Sequence, residues 1–168
     1  MKRSTVAILV GILVILAGPT IFMLAMQTSL NTPYPILTVR SGSMVPTINV
    51  GDLIVVQGIP SAEVQVTDII VFHQPGSPST LIVHRVIGIQ IEEGEIFFST
   101  KGDHNFVADP WQIPGSSLVG KVIANYANIG WIFIGLEILR PVLYVAIAIT
   151  AIIFFILFMR NKPMKKVA

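Results

Sequence analysis

The side chains that could carry acyl transfer are few: Ser29, Ser41 and Ser43, the histidines His73, His84 and His104, and the carboxylates Asp103 and Asp109. A serine becomes a nucleophile only when a general base takes its proton and donors stabilise the oxyanion. The base must be a histidine or a lysine of lowered pKa. The question is which of them sits where it could serve.

His84 is the most informative. In LIVHRVI, strand alternation puts it on the face of Ile82 and Val86, opposite Val83 and Arg85. An imidazole among apolar neighbours must find a partner. A core histidine bonded to a carbonyl has the same pattern, and alternation alone does not separate the two. His73 stands before a Gln-Pro-Gly turn and reads as a solvated loop residue. Asp103 after Gly102 and Asp109 before Pro110 are both turn formers by type. Either could also orient the His84 ring, as the acid does in a Ser-His-Asp triad. His104 reads as a loop tip, a weaker competitor for the base. A metal held by His104, Asp103 and Asp109 lacks any helical or zinc-loop spacing. The absence of cysteine excludes disulfides, thiolate catalysis and Cys-ligated zinc.

The elements that must position these groups are strands. DLIVV, TDIIVF, STLIVHRVIGIQI, EIFFSTKGD and SLVGKVIANY are short runs rich in Ile, Val and Phe. QGIPSAE, HQPGSPS, EEG and DHNFVADPWQIPGS separate them and carry turn chemistry. Without intervening amphipathic helices, the expected fold is mainly β, an antiparallel sheet or small barrel.

The flanks are different. Of the 168 residues 53% are hydrophobic and only 12% charged, against about 25% charged in soluble domains, so part of the chain is expected in lipid. Residues 4–26 and 141–159 are free of charge, and each is about long enough to cross a hydrocarbon core. A cleaved signal peptide would have a shorter apolar run and a small-x-small site, so the first is expected to be an uncleaved anchor. Pro141 would occupy the first turn of the second helix, where its missing N–H costs little. All nine acidic residues lie between Asp52 and Glu137, while the ends hold only basic ones: Lys2, Arg3, Arg160, Lys162, Lys165 and Lys166. Bases that flank apolar segments, rather than one folded face, speak for membrane topology and against a nucleic-acid partner. The expected organisation is a cytoplasmic end and anchor (1–26), an extracytoplasmic β domain (27–140), a second transmembrane helix (141–159) and a basic cytoplasmic tail (160–168).

SGSMVPT, GDLIVV, TDIIVF, IVHRV and KGDHN with its following Asp109 occur in that order directly after an anchor. Together, over roughly residues 37–121, they resemble the ordered blocks of type I signal peptidases. The bacterial branch has a lysine before the arginine of IVHRV. His84 stands there, so the chain resembles the archaeal and endoplasmic-reticulum-like branch, also found in some Gram-positive bacteria. That resemblance implies Ser43 as nucleophile, His84 as general base, Asp109 as orienting acid and Asp103 in support. It implies an oxyanion hole from Ser43 N–H and the Ser41 hydroxyl, with Met44 and Pro46 shaping the substrate approach. His104 departs from the family's usual Gly-Asp-Asn-Asn and weakens the role of Asp103. No cofactor is implied.

The implied partners are preprotein signal peptides and the bilayer, close to the Sec translocon. The implied location is the plasma membrane of an archaeon or Gram-positive bacterium, with the endoplasmic reticulum as alternative. Two rival readings are a Ser-Lys dyad using Lys101 or Lys121, and a non-catalytic anchored β domain.

Overall fold

Runs of β-branched and aromatic residues broken by Gly, Pro and Asn turns build one antiparallel sheet. The computed structural model describes residues 3–160, and within the two long helices only part of the side chains. The order is α1 (Arg3–Ser29), β1 (Ile36–Thr38), β2 (Leu53–Gln57), β3 (Ile69–Gln74), β4 (Ser77–Glu92), β5 (Glu95–Lys101), β6 (Gln112–Pro114), β7 (Leu118–Tyr126) and α2 (Gly130–Arg160). The strands lie in the order β1-β2-β7-β3-β4-β5-β6. The ladder does not close on itself, so of the expected sheet or barrel the structure is the open sheet, with β1 and β6 as edges.

Two hairpins follow from local chemistry. Pro75-Gly76 joins β3 to β4, with Gly76 at φ 79° supplying the left-handed position that follows proline in a type II turn. Glu93-Gly94 joins β4 to β5, both at positive φ (50° and 86°), the signature of the two-residue turn that matches strand twist.

Alternation sorts the apolar side chains into two clusters. Ile69, Val71, Leu81 and Val83 pack in the first, with Val39, Met44, Ile48, Ile54, Val56 and Val119. Ile70, Phe72, Ile82 and Val86 pack in the second, with Phe98 and Ile113. Successive residues of β3 thus serve opposite faces. Burying each of Phe72 and Phe98 contributes about 1.5–3 kcal/mol.

β4 changes partner along its length. Ser77 to Arg85 pair with β3, whereas β5 joins only from Arg85 onward. Ile87 is the extra residue of a bulge in the β5 pairing and is turned out to solvent.

α1 runs unbroken through Pro19. α2 begins at Gly130, eleven residues before the expected position, and holds Pro141 in its interior rather than in its first turn. No capping Ser, Thr, Asp or Asn precedes Pro141, so nothing in WIFIGLEIL starts a new helix there. Among the described residues no helix is long and apolar enough to cross a membrane; side chains 4–13 and 154–159, within the apolar runs, are not among them. Lys2, Lys162, Lys165 and Lys166, invoked for orientation, also lie outside the described residues. By its contacts the chain forms two units, one up to Gly130 and one from Trp131.

Candidate active site

Ser43 sits on the loop between β1 and β2. Val39 N–H donates to Asp52 O and Gly51 N–H to Val39 O, both at 2.9 Å, closing the base of this loop. Inside it, Ile48 N–H donates to Met44 O at 3.0 Å, a single α-turn. Met44 and Ile48, 2% and 1% exposed, plug that turn into the first cluster. Ser43 and Thr47, one position earlier in each case, therefore share a different side of the turn.

That side meets the loop between β5 and β6. Thr47 Oγ1 donates to Asp103 Oδ2 at 2.5 Å, and His104 N–H donates to Ser43 O at 2.8 Å. Gly102 is required at this crossing: a Cβ there would lie 2.6 Å from Ser43 O and 2.9 Å from His84 Nε2. Asp103 also accepts from Arg85, through Nε at 2.8 Å and Nη2 at 2.6 Å. The Arg85 hydrogen bonds hold the Asp103 carboxyl below the usual carboxylate range, against partial burial and with help from Thr47. Arg85 Nη1 donates further to the carbonyl of Thr67, a β-branched residue at φ 84°, an uncommon conformation for its type.

His84 turns the other way from Arg85. Its Nδ1 is 2.6 Å from Asp109 Oδ2, and the two side chains are 8% and 7% exposed. An ionised carboxylate can only accept, so Nδ1–H is the donor to it, and in the neutral form of that ring the lone pair lies at Nε2. Thr100 Oγ1 donates to the same Asp109 oxygen at 2.6 Å.

Ser43, Ser41, Met44 and His84 line one cavity of about 460 Å3. Its walls are residues 37–40, from β1 onward, and residues 80–84 of β4. β1 pairs only with β2, and this part of β4 pairs only with β3, so each wall has a strand edge free of sheet pairing among the described residues. Ser43 Oγ is 3.5 Å from Ser41 Oγ. No Ser43–His84 hydrogen bond occurs among the described residues; nucleophile–base hydrogen bonds are often long in unliganded structures.

Other expected residues lie elsewhere. Pro46 is exposed and is not part of the cavity wall, unlike Met44. His73 Nδ1 contacts Pro78 O at 2.6 Å, and His104 is exposed. Lys121 Nζ pairs with Asp68 at 2.6 Å. Lys101 follows Thr100 in β5 and so faces away from it.

Sequence reasoning missed Asp52. It is 1% exposed, accepting from Asn49 N–H at 2.9 Å, Asn125 Nδ2 at 3.0 Å and Asn128 N–H at 3.1 Å. Burial raises its pKa, but these three hydrogen bonds together outweigh burial and leave it below the usual range. It staples the serine loop to the end of β7. Its signal in the sequence, an acid after glycine before a strand, is the same as that of an ordinary turn.

The family described as signal peptidase, peptidase S26, matches residues 4–95, more than half of the chain. Ser43 and His84 fall inside that stretch; Asp103 and Asp109 fall beyond it. Signal peptidase I W of Bacillus subtilis (strain 168) is 40% identical over 77 residues, covering 45% of this chain and 40% of that protein. The human signal peptidase complex catalytic subunit SEC11C is 41% identical over 76 residues, covering 45% and 39%. The chain thus spans about two fifths of the length of these two relatives. The signal peptidase complex catalytic subunit SEC11 of Yarrowia lipolytica is 28% identical over 162 residues, covering 92% and 93%.

Proposed function

This chain belongs to the signal peptidase family, peptidase S26, and we propose that it is a membrane-anchored serine endopeptidase. It removes N-terminal signal peptides from secreted preproteins, cutting after small residues at the outer membrane surface. The observation that carries this reading is that Ser43 and His84, the latter backed by Asp109, open on one cavity.

In this reading the extended segment around the cleavage site lies between the two strand edges, adding main-chain hydrogen bonds as in β-augmentation. His84 Nε2 takes the Ser43 proton as Oγ attacks the scissile carbonyl. Ser43 N–H and Ser41 Oγ stabilise the oxyanion. The imidazolium, stabilised by Asp109, returns the proton to the leaving amine. Water, activated by the same ring, then hydrolyses the acyl-enzyme. Asp103 works in support: held by Arg85 and Thr47, it ties the serine loop to β4. Met44 gives the cavity floor an apolar surface.

The anchors are the apolar runs 4–26 and 141–159, with residues 27–140 on the outer side and the basic tail in the cytoplasm. Confining enzyme and preprotein to one plane, near the translocon, raises their effective concentration. The location is the plasma membrane of an archaeon or Gram-positive bacterium, the endoplasmic reticulum being the alternative. A C-terminal tag should resist protease added outside oriented vesicles; its digestion would overturn this topology.

The function is tested with detergent-purified protein and a preprotein carrying an Ala-x-Ala site. The parent should cleave it and the Ser43→Ala variant should not. Equal cleavage by both would retire Ser43 as nucleophile.

A further inference from the structure

Thr100 is 0% exposed, a hydroxyl on a strand face otherwise filled by hydrocarbon. It stands opposite Val86 in the β4–β5 ladder, and Val86 is two residues from His84 on the same face of β4. A hydroxyl in such a place needs a partner, and it has one in Asp109. The tie is double: Thr100 Oγ1 donates to Asp109 Oδ2 at 2.6 Å, and Asp109 N–H donates to Thr100 O at 2.9 Å. The second bond closes the loop that carries Gly102, Asp103 and His104. The first lands on the oxygen that receives His84 Nδ1–H.

We propose that Thr100 is a positioning residue for the reaction, fixing the Asp109 carboxylate and setting how strongly it holds the His84 imidazolium. This rests on the peptidase reading above. A hydroxyl donated to Oδ2 draws charge from the oxygen that His84 faces. It aligns the carboxylate while moderating the attraction that would keep the ring protonated. Thr100→Val keeps the shape and removes the donor; Thr100→Ser restores it. The other charges near His84, Asp103 with its partner Arg85, are left as they are.

The test has two readouts on the full chain in detergent. Cleavage of the Ala-x-Ala preprotein should show kcat reduced roughly tenfold in Thr100→Val, with KM unchanged and Thr100→Ser near the parent. Histidine ring titration by NMR, with His84 assigned through His84→Ala, should show the His84 midpoint moved to higher pH in Thr100→Val alone. His73 and His104 should not move. An unmoved His84 midpoint in a folded Thr100→Val, or failure of Thr100→Ser to restore it, overturns the proposal. If the parent itself does not cleave, the peptidase reading fails, while the titration still decides whether Thr100 governs the pair.

Discussion

His84 and Arg85 are neighbours on β4, yet their side chains reach two different carboxylates of one loop. His84 Nδ1 lies 2.6 Å from Asp109, and Arg85 Nη2 lies 2.6 Å from Asp103. The alternation of a strand separates the pair proposed to handle the proton from a permanently charged one. It keeps the guanidinium away from the imidazole, whose protonation it would oppose.

Substitution of the two acids should therefore have different consequences. Asp109→Asn would turn a donor toward Nδ1 and select the wrong tautomer, lowering kcat by about 10^4-fold. Asp103→Asn should weaken the Arg85 pair and lower stability by about 1–3 kcal/mol, with the smaller effect on kcat. Cleavage kinetics and urea unfolding of both variants check this. If Asp103→Asn had the larger effect on kcat, the two roles would be exchanged.

Acid stability follows from Asp52 and Asp103, both held below the usual carboxylate range in the folded protein. A lowered folded pKa gives stability that is complete above the unfolded value of about 3.9 and is lost as pH falls through the folded one. Urea midpoints should stay level from about pH 7 to 5 and fall below about pH 4. Asp103→Asn and Asp52→Asn should each start lower and show a shallower acid slope. Slopes matching the parent in both variants would assign the acid sensitivity to other groups.

Gly102→Ala should abolish cleavage while sparing the sheet. The new methyl would meet Ser43 O at 2.6 Å and His84 Nε2 at 2.9 Å, and a displacement of about 1 Å between reacting groups costs about 10^2-fold in rate. The expected result is a loss of at least that size in kcat with little change in far-UV circular dichroism. Full activity in this variant would mean that the loop crossing does not set the distance between nucleophile and base.

β2, β3, β4, β5 and β7 were legible because each runs for five or more residues, is rich in β-branched or aromatic side chains and is bounded by turn formers. β1 (ILT) and β6 (QIP) were not. Three residues carry no period, and these strands exist because β2 and β5 offer them a ladder. His84 stood out by residue type, a histidine within a hydrophobic strand, whereas Ser43 was singled out among three candidate serines only by the order of blocks that carries the family resemblance. Thr47 and Thr100 stood out in neither way. Threonine is an ordinary strand and turn residue, and only the tertiary fold shows which carboxylate each hydroxyl meets. The start of α2 was misplaced because proline was weighed as a beginning, while the apolar residues before it continue the helix.

The change of partner along β4 has a consequence for what the protein leaves alone. Among the described residues, β1 and residues 80–84 of β4 each have one edge engaged in the sheet and the other free of sheet pairing along this cavity. Such a slot is a gauge for chain shape before it is a test of sequence. A strand drawn out in single file can pair with these edges; a helix, whose backbone N–H and C=O groups are already spent on its own ladder, or a finished domain, cannot. Under the proposed function, folded proteins would thus be spared even when they display an acceptable run of small residues, and timing enters: a preprotein would be open to the cut only until its own junction folds away.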